Sequence, residues 1–239
     1  MSIDRIAELF HYFISNFGVL LKAALLHTIP LTILSFFFGL IIGFIVALMR
    51  LSNCKPLVGI AKFYSWIIRG TPLLVQLFII FYGLPSFGLI LSPFTSSVVG
   101  LSIAQGAYNS ETIRAAILAI PKGQWEAAKA LGMNKWQMYS NIILPQAATI
   151  AVPSLSNSFI GLSKDTSMTG VLTVPELFHR GQQIVALIYE PMLIYIEVAL
   201  IYLMLNTLLT FLQGRLEKRF SSVKKLETQP RRGRFLRTR

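Results

Sequence analysis

Three long runs without Asp, Glu, Lys or Arg constrain the fold of this chain more than any other feature of its 239 residues. They cover Ala23–Met49, Gly70–Ser110 and Trp136–Ser163 and contain 27, 41 and 28 residues. A helix needs about 20 consecutive apolar residues to cross the hydrocarbon core of a bilayer. The longest run therefore has to turn within itself, near residues 83–93. The pattern predicts an all-α integral membrane protein.

The apolar segments predict five transmembrane helices. We place them near residues 20–49, 58–83, 94–117, 148–169 and 192–212. Three connecting segments hold 3, 4 and 10 of the Lys and Arg residues: 50–62, 114–135 and 215–239. The segments on the other side, 1–22, 84–93 and 170–191, hold 2, none and 1. Because cytoplasmic loops are rich in Lys and Arg, the N-terminus is predicted outside and the C-terminus in the cytoplasm.

Two segments flank the membrane domain, which we assign to residues 20–214. Residues 1–19 form an amphipathic lead that predicts an interfacial helix, without the pattern of a cleaved signal peptide. Residues 215–239 form a basic tail that supplies most of the net charge of +12. Because this tail directly follows a span, we interpret it as a contact for anionic lipid or as a topology signal, and not as a nucleic-acid site.

A charged and polar stretch, EAAKALGMNKWQMYSNIILP at residues 126–145, separates the second run from most of the third and overlaps the start of the third. Good helix formers fill the residues before Gly132, which stands where a left-handed C-cap belongs, and Asn134 can cap a second helix. A helical hairpin is therefore predicted at 120–146. Its small alanines could dock closely on another protein, although an exposed, solvated hairpin is the alternative interpretation.

The second span is interrupted by Arg69-Gly70-Thr71-Pro72. Pro72 lacks a backbone donor, so a kink or an open turn is expected there. Broken backbone at membrane depth has to be buried in protein or face water. Either this break contributes to a functional cavity, or it is a structural kink from which Arg69 reaches the cytoplasmic headgroups.

The fourth span carries Lys164-Asp165-Thr166-Ser167 near its end. Ionisable groups at that depth are costly unless they face a cavity or a partner. Our hypothesis is that they line a translocation cavity, in which Lys164 meets an α-carboxylate and Asp165 an α-ammonium group. The alternative is an interhelical salt bridge with Glu197 or Arg114. Glu111 and Arg114 are three residues apart and are expected to pair locally.

Several motifs together resemble one family. They are RGTPLLVQLFIIFYGLP at 69–85, AYNSETIRAAILAIPKGQWEAAKALGM at 107–133, the exit I-x-L-P at 142–145, PSLSNSFI and SKDTS at 153–167, and VPELF at 174–178. The chain resembles the permeases of ATP-binding cassette (ABC) importers for polar amino acids, and is most similar to the cystine type. Ser163 departs from the family pattern, which usually has a hydrophobic residue there. The resemblance implies L-cystine as the cargo, with glutamine, arginine or histidine as alternatives.

The resemblance implies roles for two groups of residues. The hairpin would couple the chain to an ATPase subunit through Glu126, Ala127, Ala128, Gly132 and Pro145. Substrate would contact the residues at the break and late in the fourth span: Arg69, Thr71, Gln76, Asn157, Ser158, Lys164, Asp165, Thr166 and Ser167. The implied partners are a pair of ATPase subunits, an extracytoplasmic binding protein and a second permease copy, with a homodimer favoured over a paralogue. The implied location is the bacterial cytoplasmic (inner) membrane.

The sequence contains no pattern typical of an enzyme. The histidines are scattered, no cluster has metal-ligand spacing, and G-x-x-x-x-G-K-[ST] is absent. We therefore expect no cofactor in this chain, with ATP and Mg bound by the partner ATPase. A secondary transporter or channel is the leading alternative class, but the chain shows no internal repeat. A membrane enzyme is the third interpretation and would need a catalytic cluster at one membrane face.

Overall fold

The structure, a computed structural model, describes residues 3–228 and contains no strand in that range. Its helices are α1 (Ile3–Ala23), α2 (Ile29–Leu51), α3 (Lys55–Arg69), α4 (Leu73–Phe78), α5 (Pro93–Leu118), α6 (Lys122–Ala130), α7 (Lys135–Met138), α8 (Leu144–Asp165), α9 (Leu177–Ile188) and α10 (Pro191–Thr228). Shorter π and 3₁₀ turns connect several of them. The all-α class is confirmed, while residues 229–239 of the predicted tail lie outside the described residues.

The first hydrophobic segment is one long helical rod. A π turn at Ala24–Thr28 joins α1 to α2, so the apolar segment runs from Ala7 to Leu51 without a break. The π turn comes just before Pro30, which has no N–H to donate to the ladder of helical hydrogen bonds. Residue 19, the predicted end of the amphipathic lead, lies inside α1.

Fewer of the described helices are long and apolar enough to cross a membrane than the five that the sequence predicts. Among residues 3–228, the long apolar helices are Ala7–Leu51 and Pro191–Arg215, and the bent pair α3 and α4 makes a third if it counts as one span. The helix α5 fits the predicted third span in length, but it buries polar residues that include Ser96, Ser102 and Asn109. These side chains lower its mean hydropathy although they face other helices.

The helices α2 and α5 form the centre of the packing. Gly39 and Gly43 make a G-x-x-x-G pattern on α2, which allows two backbones to approach closely. A Cβ at Gly39 would lie 2.9 Å from Gln105 Cβ, and one at Gly43 would lie 2.8 Å from Asn109 Cβ. Larger residues at these positions would therefore displace the polar side chains of α5.

Two hydrophobic clusters anchor the hairpin and the helices α1, α9 and α10. One joins the end of α5 to the hairpin and the start of α8, through Ile117, Ala128, Ile143 and other residues. The other joins α1, α9 and α10, with Leu20 among its buried members. The hairpin is consequently anchored on the chain itself at its base.

Candidate functional site

The predicted kink in the second hydrophobic segment is confirmed. The helix α3 ends at Arg69 and α4 begins at Leu73, and the two helical segments are bent by 106°. Pro72 is extended, with φ −62° and ψ 137°, and its ring nitrogen has no hydrogen to donate. The bend leaves the last carbonyl groups of α3 available to side chains.

Gln76 bridges this break. Its Nε2 atom donates to the carbonyl oxygens of Ile68 (2.7 Å) and Thr71 (3.0 Å) and lies 2.9 Å from Thr71 Oγ1. The side chain is only 8% exposed, and its Oε1 atom is buried without a hydrogen-bond partner. A buried acceptor without a donor is unfavourable. Gln76 Oε1 therefore needs a donor that the described residues do not supply.

Gln76 is one of the residues that line a cavity of about 200 Å³, which has both apolar and polar walls. Its polar lining consists of Thr71, Gln76, Gln105, Tyr108 and Asp165. Gln105 and Tyr108 are three residues apart and share one face of α5. We call this space the polar cavity. One carboxylate, two amides and two hydroxyls give it both acceptors and donors for a zwitterionic ligand.

The structure separates the two ionisable residues of the KDTS motif. Asp165 is half-buried and lines the polar cavity, whereas Lys164 is exposed and lines a different cleft of about 400 Å³ with Ser167 and Tyr202. Neither forms an ion pair with a described residue. The alternative salt bridges of Lys164 to Glu197 and of Asp165 to Arg114 are absent among residues 3–228.

The other residues predicted near Asp165 lie outside the polar cavity. Thr166 is fully buried and donates to the Ser163 carbonyl (2.8 Å). Asn157 is exposed and accepts from Gln213 on α10 (2.9 Å). Ser158 is half-buried on α8. The role in substrate binding that the sequence assigns to these side chains stays a prediction.

Ser163, the residue that departs from the family pattern, forms a hydrogen bond to another helix. Ser163 Oγ lies 2.7 Å from Asn206 Oδ1, and Asn206 is part of α10. Together with the Asn157–Gln213 bond, it gives α8 and α10 two polar contacts. The hydroxyl therefore fixes the end of α8 that carries Asp165.

Arg69 points to a charged cluster beside the polar cavity. Glu111 pairs with Arg50, with Arg69 at 3.2 Å and with Arg114 at 3.1 Å. The guanidinium carbon of Arg69 lies 5.6 Å from the centre of the Tyr108 ring. The predicted Glu111–Arg114 pair is confirmed, and Arg69 is held by α5 instead of extending freely away from the protein.

The hairpin has the caps that its sequence predicts. Gly132 has φ 71°, a left-handed conformation that strains other residues, and it follows α6 directly after Leu131. Asn134 caps α7: its Oδ1 accepts from Gln137 N (2.9 Å), and Asn134 N donates to Gln137 Oε1 (3.0 Å). This reciprocal pair is a capping box, which makes the tip stiff.

The hairpin presents one face to the chain and leaves the other open. Ala128 is 2% exposed and packs in the cluster that anchors the base. Glu126, Ala127, Gly132 and Pro145 are exposed. Two large apolar side chains, Leu131 (74% exposed) and Trp136 (78% exposed), also lie on the open face. Both side chains are free to contact another protein, as the hairpin's sequence predicts.

Sequence reasoning did not identify Gln105, Tyr108 or Arg50 as site residues. Gln105 and Tyr108 are polar residues one turn apart in a charge-free run. This spacing indicates that both side chains share one face of a helix. Arg50 ends the first charge-free run. Its contact with Glu111 joins residues 61 positions apart, which no local pattern indicates.

Comparison with known proteins agrees with these features. The family model described as binding-protein-dependent transport system inner membrane component matches residues 39–222. The L-cystine transport system permease protein TcyB of Bacillus subtilis (strain 168) is 49% identical over 205 residues, which cover 85% of this chain and 88% of the relative. The arginine transport system permease protein ArtQ of the same organism is 38% identical over 196 residues, which cover 82% and 90%.

A solved structure has the same fold. It is described as the crystal structure of an amino acid ABC transporter with histidines, and its matching chain is 35% identical to this one. The superposition has a TM-score of 0.76 and covers 92% of this chain and 99% of the other. The helical arrangement is therefore shared along nearly the whole length of both chains.

Proposed function

Because this chain belongs to the family of binding-protein-dependent transport system inner membrane components, we propose that it is the permease for L-cystine in an ABC importer. The observation that carries the choice of cargo is its 49% identity to an L-cystine permease over 85% of the chain. The arginine permease is less similar, at 38% identity. Arginine, glutamine and histidine remain the competing cargoes within the same mechanism.

The proposed location is the inner membrane of a bacterium. The proposed topology has five spans, with the N-terminus outside and the C-terminus in the cytoplasm. In this topology the helices α2, α5, α8 and α10 and the bent pair α3–α4 would form the five spans. The excess of Lys and Arg in segments 50–62, 114–135 and 215–239 supports this orientation. It places the hairpin and the Glu111 cluster on the cytoplasmic side.

The polar cavity is the proposed contact for one end of the cargo. Cystine carries two ammonium and two carboxylate groups, and the acceptors of the polar cavity would bind one of the ammonium groups. Asp165 would pair with an ammonium group, and Gln76 Oε1 would accept a second hydrogen bond from it. Lys164 lies in another cleft, so its proposed contact with a carboxylate would come from a different side of α8.

The hairpin is the proposed contact for the ATPase. Glu126, Ala127 and Gly132 lie on its open side, while Ala128 anchors the hairpin and Pro145 starts the rigid exit into α8. Two ATPase subunits, which bind ATP and Mg, would close on two such hairpins. An extracytoplasmic binding protein would deliver the cargo, and a second copy of this chain would complete the pathway.

Uptake into vesicles tests this proposal. The chain is reconstituted with its ATPase and its binding protein, and ATP-dependent uptake of labelled cystine is measured with glutamine, histidine or arginine as competitors. Uptake that only excess cystine suppresses is the expected result. Suppression by another amino acid would contradict the cargo but keep the mechanism, whereas uptake without ATP would contradict the mechanism.

A further inference from the structure

A second cleft, with a volume of about 500 Å³, adjoins the polar cavity. Its principal lining residues are Arg50, Lys62, Trp66, Arg69, Tyr108 and Glu111. We call it the basic cleft. Three of these side chains are cationic and one is anionic, so its lining has a formal charge of +2. Its volume lies within the range of about 300–1,000 Å³ that is usual for small-molecule sites.

Glu111 does not saturate the cations around it. Arg50 and Arg69 both contact Glu111 Oε1, while Arg114 contacts Oε2. Each guanidinium has five N–H donors, so one shared carboxylate oxygen leaves most donors of Arg50 and Arg69 unused. The side chain of Arg69 is 44% exposed, and its unused donors are therefore accessible to an external anion.

Tyr108 is a common wall of the two spaces. It lines the polar cavity on one side and the basic cleft on the other, and Arg69 lies over its ring at 5.6 Å. Arg69, at the end of α3, lines the basic cleft, and Thr71, inside the break, lines the polar cavity. A molecule that leaves the polar cavity past Tyr108 would therefore meet Arg69 next.

We propose that the basic cleft is a release site, which binds the carboxylate of the amino acid after it has left the polar cavity. This inference rests on the proposed function and topology. Arg69 exchanges Glu111 for the carboxylate of the cargo, because a guanidinium binds a free carboxylate in a two-point contact that is stronger than one shared oxygen. While the cleft is occupied, the next molecule cannot pass Tyr108, so accumulated product slows import.

Preloaded vesicles test the release site. Proteoliposomes that contain the full importer receive lumenal ATP and increasing lumenal L-cystine, and the initial rate of import of labelled cystine is measured. A parallel series uses cystamine, which retains the disulfide and both amines but lacks the carboxylates. We expect inhibition by lumenal cystine and none by cystamine. Equal inhibition by cystine and cystamine, or no inhibition by either compound, would overturn the release site. This comparison needs only the wild-type chain.

Two variants give opposite expected shifts. Arg69→Gln removes the carboxylate contact, so the half-inhibiting concentration of lumenal cystine should rise roughly fivefold. Glu111→Gln frees the arginines from their competing carboxylate, so that concentration should fall roughly fivefold. A purely structural ion-pair cluster would make both variants shift in the same direction. Lys55→Gln, which removes a cation of α3 that does not line the basic cleft, is the matched control and should shift nothing.

A lipid phosphate could bind the same N–H donors of the arginines, but it would change a different property of import. If a headgroup occupies the basic cleft, import by the wild type will depend on the phosphatidylglycerol content of the vesicles, and Arg69→Gln will remove that dependence. That result, with no effect of lumenal cystine, would overturn the release site. The proposed function fails separately, if empty wild-type vesicles show no ATP-dependent import of cystine at all.

Discussion

The hairpin and the polar cavity are built in different ways. All the caps of the hairpin come from within a few residues, at Gly132 and in the Asn134–Gln137 box. The polar cavity brings together the break in the second span, one face of α5 and the end of α8, which are separated by many residues in the chain. The hairpin is thus rigid by local interactions, whereas the cavity depends on how the helices pack.

This difference implies that the hairpin and the polar cavity act in different steps of transport. A locally stiff element keeps its shape while a neighbouring subunit moves, and can therefore transmit that movement to α8. A cavity formed between helices changes whenever the helices shift, and this is what alternating access requires. Substitutions in the two regions should consequently affect different steps of transport.

The largest effect is expected for Asp165→Asn. The substitution removes the carboxylate of the polar cavity, and an unpaired buried ammonium costs ~3 kcal/mol, so cystine uptake should fall about 100-fold. Uptake is measured at equal amounts of protein in the membrane. Glu8→Gln, which removes an exposed carboxylate of α1 outside the cavity, is the control. Wild-type uptake by the Asp165 variant would remove this residue from the binding site.

Gly39→Ala should disturb the polar cavity through its wall. The new Cβ would lie 2.9 Å from Gln105 Cβ, and such overpacking costs about 1–3 kcal/mol of folding free energy. Thermal unfolding of the purified complex and the KM for cystine report the effect. Gly18→Ala, where a Cβ meets nothing within 4 Å, should leave the KM unchanged and should not lower the thermal stability. Equal behaviour of the two variants would show that the α2–α5 contact has no influence on the cavity.

Gly132→Ala should weaken coupling and leave the cavity intact. Alanine at φ 71° costs about 1–2 kcal/mol, so association with the ATPase and the rate of uptake should fall roughly fivefold. Pull-down of the ATPase with the permease measures the association. Gly123→Ala lies in the same hairpin inside α6 and has room for the methyl group, so it should retain full association. A normal Gly132 variant would mean that the turn is not part of the ATPase contact.

The smallest effect is expected at the cap of α7. Asn134→Ala removes the acceptor for Gln137 N and should destabilise the tip by about 1 kcal/mol. Faster hydrogen exchange at the amide of Gln137 is the direct measurement. Asn134→Asp keeps an acceptor and should exchange as slowly as the wild type. Equal exchange in the alanine variant would show that the capping box does not stiffen the hairpin.

The same difference explains what the sequence could predict. The helix ends at Gly132 and Asn134 follow from local propensities, and the kink follows from Pro72. Charge-free runs indicate helices, yet they do not tell which side of α8 faces the cavity. The separation of Lys164 from Asp165 and the contact of Arg50 with Glu111 depend on helix packing, so they could not be predicted from spacing alone.

The number of cystine molecules imported per ATP hydrolysed tests most directly whether the hairpin and the polar cavity act in different steps of transport. It is measured in vesicles that contain the full importer with the wild-type chain, with Asp165→Asn or with Gly132→Ala. We predict that the Asp165 variant hydrolyses ATP in response to the binding protein but imports almost no cystine, so the ratio collapses. In the Gly132 variant, hydrolysis and import should fall by the same factor, so the wild-type ratio is kept. Equal ratios in both variants would contradict separate roles for the hairpin and the polar cavity.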